Sequence, residues 1–204
     1  NSQPNSGLYQ ALVNSSNTTN RKYFLKFIAR AGGVGQCKDS ISKSIIILPK
    51  PDAVIAPIAN SCSGSTLNLQ SNSLGSGLTY QWTLFMGSTA TGSQRPTWLS
   101  SSTAQNPTLT IPQWSHPAAD SIYTLKLRVV NVFGCVDSAT RSFTVYTRSK
   151  VTINPVINNC GTIAIPRTAT INGPSGRTYT YSWSVVTGGG SLSSATATSP
   201  LHTM

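Results

Sequence analysis

Very little in this 204-residue sequence is built for acid–base chemistry. Its carboxylates are Asp39, Asp52, Asp120 and Asp137, with no glutamate, and its imidazoles are His116 and His202. Hydrolysis asks for a carboxylate pair, a nucleophile beside its base, or a metal cluster. Asp39 and Asp137 hold the same position in two copies of a repeat, so they are expected to lie a module apart. Neither histidine has a Cys or His at zinc-ligand spacing, His116 beside Pro117 reads as loop, and no calcium-loop pattern occurs. Gly188-Gly189-Gly190 lacks a following Lys-Ser/Thr and a strand-to-helix context, so it is a flexible turn and not a phosphate loop. The sequence predicts no enzyme, no metal and no cofactor. Three of the aspartates share another pattern, Asp-Ser-(Ile/Ala), at Asp39-Ser40-Ile41, Asp120-Ser121-Ile122 and Asp137-Ser138-Ala139. A short acid followed by a hydroxyl caps turns at strand starts.

These residues hang on two hairpins. In Tyr123 to Tyr146, Tyr123, Leu125, Leu127 and Val129 alternate with Thr124, Lys126 and Arg128, the period of a half-buried strand. Asn131-Val132-Phe133-Gly134 supplies the turn, and alternation resumes at Phe143 and Val145. A sister hairpin runs from Tyr23 to Leu48. Cys37 to Cys62 aligns without a gap on Cys135 to Cys160 at an offset of 98 (135 − 37 and 160 − 62). Thr79-Tyr80-Gln81-Trp82 matches Thr180-Tyr181-Ser182-Trp183. A repeat of about one hundred residues has the size of a whole small domain.

Composition agrees. Hydrophobic residues make up 38% of the chain, enough for cores in two domain equivalents, and no run is long enough to cross a membrane as a helix. Strands are short, rich in Thr, Val, Ile, Tyr and Trp, and punctuated by Gly, Pro, Asn and Ser, which predicts an all-β sandwich. The net charge is +11. Such a balance attracts polyanions, but no nucleic-acid motif accompanies it, and Arg21, Lys22, Lys26 and Arg30 read as a solvated face. Nucleic acid is therefore disfavoured as a partner. Asn14-Ser-Ser and Asn17-Thr-Thr are sequons that also arise by chance in a loop of this composition. The first residue is Asn and no signal peptide is visible, so a processed internal segment is expected.

Three modules follow in order. Residues 1–50 form the C-terminal half of a first module, with strand E near Leu8 to Val13, F at Tyr23 to Arg30 and G at Ser40 to Leu48. Residues 51–149 form a complete module after the stiff linker Pro49-Lys50-Pro51-Asp52. Its strands are A near Ala53 to Ile58, B near Thr66 to Ser71, C near Leu78 to Phe85, a short strand at Thr97 to Leu99, E near Thr108 to Ile111, then F and G. Trp82 is its expected core tryptophan. Trp98 and Trp114 fall outside strong strands and are the candidates for exposed aromatic contacts, with burial under a loop the ordinary alternative. Residues 150–204 begin a third module, with A at Val151 to Ile157, B at Ile163 to Ile171, C at Thr178 to Val186 and an E-like segment ending at Met204, without F and G.

Tyr23-x-Leu25-x-Phe27 and Tyr123-x-Leu125-x-Leu127, then Cys-x-Asp-Ser at Cys37 and Cys135, then Pro57…Asn60…Cys62 and Pro155…Asn158…Cys160, then Tyr-x-Trp, together resemble the PKD-like, immunoglobulin-like repeats of large secreted surface proteins. Such proteins occur in gliding and biofilm-forming bacteria, many of them exported by the type IX system. The usual Gly-Asp-Gly turn is missing after Trp82 and Trp183, which places the chain on a divergent branch. The resemblance covers nearly the whole chain. It implies tandem immunoglobulin-like (PKD-like) β-sandwich modules, one complete and two partial, in an extracellular stalk, filament or adhesin on the cell surface. Partners would be further modules of the same long chain or neighbouring copies. A polysaccharide-binding adhesin, taking an acidic or neutral polysaccharide, and an accessory region of a secreted hydrolase are the alternatives. The resemblance also makes Ser40, Ser121 and Ser138 possible O-glycan acceptors.

Four cysteines placed one pair per repeat in an exported chain suggest disulfides. Cys37 with Cys62 is disfavoured, because Ser40 to Leu48 alone spans roughly 30 Å at about 3.3 Å per residue, far beyond the reach of a disulfide. The same holds for Cys135 with Cys160. The expected bond is Cys62–Cys135 within the complete module, leaving Cys37 and Cys160 to pair outside the segment or with a neighbouring copy. A strand A running the full height of the sandwich would put Cys62 at the opposite end from Cys135.

Overall fold

The computed structural model describes residues 12–32, 37–115, 118–155 and 163–203. Among them there is no α-helix; thirteen strands and one 3-10 turn make an all-β chain. It divides into two compact units, one of Asn1–Ile58, Leu67–Leu109 and Thr124–Ser142, the other of Ala59–Thr66, Thr110–Tyr123 and Phe143–Met204. The expected strand at Leu8 to Val13 lies largely outside the described residues.

In the first unit, strands β1 (Arg21–Arg30) and β2 (Lys38–Ile47) pair antiparallel from Arg21↔Ile47 to Arg30↔Lys38. The alternation read from the sequence sets this ladder, and Tyr23, Leu25 and Phe27 share a face with their partners Ile45, Lys43 and Ile41. That face is open: Phe27 is 68% exposed. The linker then meets the next module through bonds rather than a continuous strand A. Pro51 and Pro57 lack an N–H, so only the isolated bridges Asp52↔Leu74 and Ile55↔Ser71 form.

Residues 51–149 contain β3 (Ser61–Cys62), β4 (Thr66–Asn68), β5 (Thr79–Met86), β6 (Thr108–Thr110), β7 (Ser121–Val130) and β8 (Val136–Tyr146), shared between the two units. One sheet has the order β3-β8-β7-β5 and a second pairs β4 with β6. In the first unit, Trp82, Leu84, Leu109, Leu125, Leu127 and Val129 are buried. Each fully buried aliphatic side chain contributes about 1.5–3 kcal/mol. The predicted strand at Thr97 to Leu99 is instead a 3-10 turn at Pro96–Trp98, started by the proline at its first position, and only Leu99 bridges, to Leu109. The β7–β8 turn is closed by the Asn131 N–H donating to the Cys135 carbonyl at 3.1 Å and the Gly134 N–H to the Asn131 carbonyl at 3.0 Å. Gly134 sits at φ +80, where a side chain would be strained.

In the second unit, β3 lies parallel to the end of β8, with Ser61↔Val145 and Cys62↔Tyr146. Ile111, Tyr123, Phe143 and Val145 are buried there, and the Tyr123 and Phe143 rings are 6.1 Å apart. The third module follows: β9 (Lys150–Ile153) pairs with β11 (Ala169–Asn172), while β13 (Leu201–Thr203) lies between β10 (Ala164–Pro166) and β12 (Ser191–Leu192). The strand expected at Thr178 to Val186 forms no ladder. Its counterpart β5 is held by β7, and among the described residues the third module has no equivalent of β7.

Candidate functional site

The bonds around Trp82 in the second module recur around Trp183 in the third. In the second, the Trp82 N–H donates to the Ser102 carbonyl at 2.7 Å and the indole to the Ala104 carbonyl at 3.0 Å; in the third, Trp183 does the same to Ala195 at 2.8 Å and Ala197 at 3.0 Å. Ser100 and Thr108 exchange two bonds, as do Ser193 and Leu201. The bridge Ile55↔Ser71 recurs as Ile153↔Ala169, and His202 takes the place of Leu109. What differs is coverage. Ala53 and Ile55 are 8% and 3% exposed, whereas Val151 and Ile153 are each 59% exposed. Together with Ala169, Ile171, Tyr181 and Trp183 they line an open hollow of about 200 Å³.

Both linkers are tied to neighbouring loops by hydrogen bonds and an ion pair. In the first unit, buried Asn131 donates from Nδ2 to the Pro49 carbonyl at 2.8 Å, while its Oδ1 accepts from the N–H groups of Phe133 and Cys135, each at 3.0 Å. Lys50 Nζ reaches Asp137 at 2.7 Å, and Asp137 also accepts the Ala53 N–H at 2.9 Å. Partial burial alone would push the Asp137 pKa up; the hydrogen bond and charge of Lys50 and the Ala53 N–H outweigh it and hold the carboxyl below its ordinary value. The hydrogen bond that Lys50 donates to Asp137, and the charge of that carboxylate, raise Lys50 in turn. Ser76 Oγ reaches the Thr18 carbonyl at 3.5 Å.

The second unit holds the other joint. Arg177 pairs with Asp120 and lies 5.0 Å from the Tyr146 ring centroid. Asp120 also accepts the Thr147 N–H at 2.8 Å, Arg148 Nε donates to the Ser63 carbonyl at 2.6 Å, and Ser149 bonds the Tyr179 hydroxyl at 3.1 Å. The two joints use equivalent loops: Ser76 and Arg177 both precede the Tyr-x-Trp strand, and Thr18 and Asp120 both precede strand F. Sequence reasoning gave no sign of the Asp120–Arg177 pair, because its members are 57 positions apart and follow no motif.

Asp120 and Asp137 are both held in ion pairs and backbone hydrogen bonds. Asp39 is exposed on β2 and accepts the Ser40 N–H at 2.7 Å. Among the described residues no three His, Cys, Asp or Glu come together to hold a metal. His202 Nδ1 lies 3.1 Å from Arg167, and His116 lies outside the described residues. Ser40 and Ser138 are exposed and Ser121 is half-buried. Trp98 and Trp114 are half-buried, and the Trp114 carbonyl accepts the Ser63 hydroxyl at 2.6 Å.

Cys37, Cys62 and Cys135 are free thiols, and Cys160 lies outside the described residues. The expected Cys62–Cys135 bond is not made. The parallel register sets Cys62 beside Tyr146, the last residue of β8, while Cys135 precedes its first. β8 is roughly 35 Å long at about 3.3 Å per residue, so the two thiols flank its opposite ends.

No protein-family model matches the chain, and no curated protein does. Solved structures similar to it include a nucleoside hydrolase-related protein from Saccharophagus degradans associated with carbohydrate metabolism, with 21% identity, a TM-score of 0.31, and coverage of 48% of this chain and 26% of that one. The D00–D0 domain of intimin is 16% identical with a TM-score of 0.35, over 75% of this chain and 84% of that one. Cadherin domains 1–4 of protocadherin gamma B7 are 10% identical with a TM-score of 0.31, over 89% of this chain and 48% of that one. The chain thus spans about a quarter of the first of these and about half of the third.

Proposed function

We propose that this chain is a load-bearing repeat segment of an extracellular stalk, filament or adhesin on a bacterial cell surface. Its modules are the partial 1–50, the complete 51–149 and the partial 150–204. The observation that carries this reading is the parallel pairing of β3 with the end of β8. Tension along the chain pulls these strands in opposite directions, so their hydrogen bonds are sheared together instead of unzipping one at a time. Three further bonds reinforce the contact: the Ser63 N–H to the Tyr146 carbonyl at 2.8 Å, the Thr144 N–H to Asn60 Oδ1 at 2.8 Å, and Asn60 Nδ2 to the Tyr146 hydroxyl at 3.3 Å. Fixed linkers transmit load from one module to the next. A mechanical role also agrees with carboxylates spent on joints.

Single-molecule pulling tests this. Unfolding of the complete module, about 95 residues, should release roughly 300 Å of chain. Asn60→Ala should lower the force required. If pulling by the termini opens this module no harder than pulling across the β7–β8 turn, the reading fails.

A further inference from the structure

We propose that a polar groove in the first unit, with Arg128 at its wall, binds an acidic sugar, a uronate unit of a polysaccharide. The groove has a volume of about 310 Å³ and is lined by Thr79 and Gln81 of β5, Arg128 and Val130 of β7, and Ser102 and Thr103 of the loop beyond β5. All six lie between positions 79 and 130 and within one compact unit. The sheet explains how they meet. β5 is an edge strand beside β7, and its Trp82 N–H donates to the Ser102 carbonyl at 2.7 Å, which holds the loop along β5. Alternation buries Trp82 and Leu84 of β5 and Leu127 and Val129 of β7, and leaves Gln81 and Arg128 exposed. The Thr79 hydroxyl donates to the Val130 carbonyl at 3.4 Å and ties the two strands together.

The chemistry of the lining selects the ligand. Among the described residues, Arg128 has no ion pair or hydrogen bond, and the side chains of Gln81 and Ser102 have no hydrogen-bond partner. No aspartate lines the groove. A guanidinium fork takes a carboxylate through two parallel N–H···O bonds. The carboxamide of Gln81 and the hydroxyls of Ser102 and Thr103 each donate and accept, as the hydroxyls of a sugar ring require. Half-buried Val130 offers an apolar seat for the C–H face of that ring. The volume lies at the small end of ligand pockets, about 300–1,000 Å³, which suits one sugar unit. A nucleic-acid strand asks for a basic track with stacking aromatics, whereas Arg128 is the one cation in this lining. The repeat separates the site from the scaffold. Tyr80-Gln81-Trp82 returns as Tyr181-Ser182-Trp183, and Leu127-Arg128 returns as Phe27-Ile28. The scaffold aromatics are kept while Gln81 and Arg128 are replaced, so the fold itself does not demand them.

The 204-residue chain, labelled with nitrogen-15, is titrated with tetragalacturonate and with tetramannuronate and followed by two-dimensional amide spectra. Saturable shifts at the Gln81, Thr103 and Arg128 amides are expected with at least one of the two. Arg128→Gln, at an exposed site, should weaken that binding at least about tenfold. Arg128→Lys keeps the charge but loses the fork, and should recover only part of it. Lys22→Gln on β1 removes an equal charge outside the groove and should leave binding unchanged. The methyl ester of the same uronide should bind the wild-type chain about as weakly as the acid binds Arg128→Gln. No saturable shift with either uronide in the millimolar range overturns the proposal. So does an equal loss in Lys22→Gln, which reduces the contact to the net charge of the chain. Shifts of the same amides produced equally well by oligodeoxythymidylate or by an oligoglutamate peptide also overturn it, since the groove then takes anions at large. None of these outcomes bears on the pulling measurement, which tests the load-bearing role separately.

Discussion

Asn131 is the residue on which the first joint depends, and its removal has a calculable cost. The side chain is 5% exposed and makes three hydrogen bonds, one to the Pro49 carbonyl and two from the Phe133 and Cys135 N–H groups. Asn131→Ala leaves the buried Pro49 carbonyl without its donor, at about 1–3 kcal/mol. The two N–H groups lie in an exposed turn and can recruit water, so their loss costs about 0.5–1 kcal/mol each. The sum is about 3 kcal/mol, a large fraction of the stability of a domain this size. Asn131→Asp keeps the acceptor but removes the donor and places a charge in a buried site, so it should do no better than Ala. Urea unfolding followed by the fluorescence of buried Trp82 measures this, with the midpoint lowered and the slope unchanged. Hydrogen exchange should show faster exchange at the Phe133 and Cys135 amides. A loss below about 0.5 kcal/mol for Asn131→Ala would refute the claim that one buried amide holds linker and turn together.

The other predictions concern acid and glycan. The carboxyl of Asp137 titrates below its ordinary value of 3.8 in the folded chain. The stability it contributes is therefore present above that value and lost as pH falls through the lower, folded pKa. Asp137→Asn should be less stable than wild type at neutral pH, and the difference should shrink on acidification below about pH 4; a gap that persists under acid would contradict the assignment. Material from the native source should carry glycan mass on Ser40, Ser138 or Ser121, the first two being exposed as an acceptor must be. Peptides spanning these serines that all show the mass of the bare sequence would remove that expectation.

The F–G hairpins were legible because strand alternation is a local signal. Tyr23 to Arg30 and Tyr123 to Val129 announce a buried face whatever else surrounds them. The remaining strands depend on partners distant in sequence. Thr178 to Val186 has the same alternation as β5 and places Trp183 in the same bonds, yet it forms no ladder, since a strand exists only opposite another. Strand A failed as a continuous element for a local reason that could have been read: Pro51 and Pro57 remove donors within a few residues of each other. The 3-10 turn at Pro96–Trp98 has the same origin. The cysteine placement turned on register. Nothing in the spacing of Cys62 and Cys135 tells which end of β8 the short β3 will join, and that choice sets the whole height of the module between the two thiols.

The aspartates show how one repeated residue acquires different meanings. Asp39 and Asp137 occupy the same place in the repeat, and a sequence alone assigns them the same role. Asp137 is engaged because a preceding linker delivers Lys50 and the Ala53 N–H to it. Asp39 is exposed and accepts the N–H of its own neighbour Ser40, which it would do in any short turn. A local reading cannot see this difference, because the Ala53 donor to Asp137 lies 84 positions away in the sequence. The same logic governs the open face of β1–β2. Its apolar side chains follow the pattern of a core whose other half the hairpin does not itself contain. Phe27 is 68% exposed there, and contiguous exposed apolar area of this kind on a folded hairpin marks an interaction face.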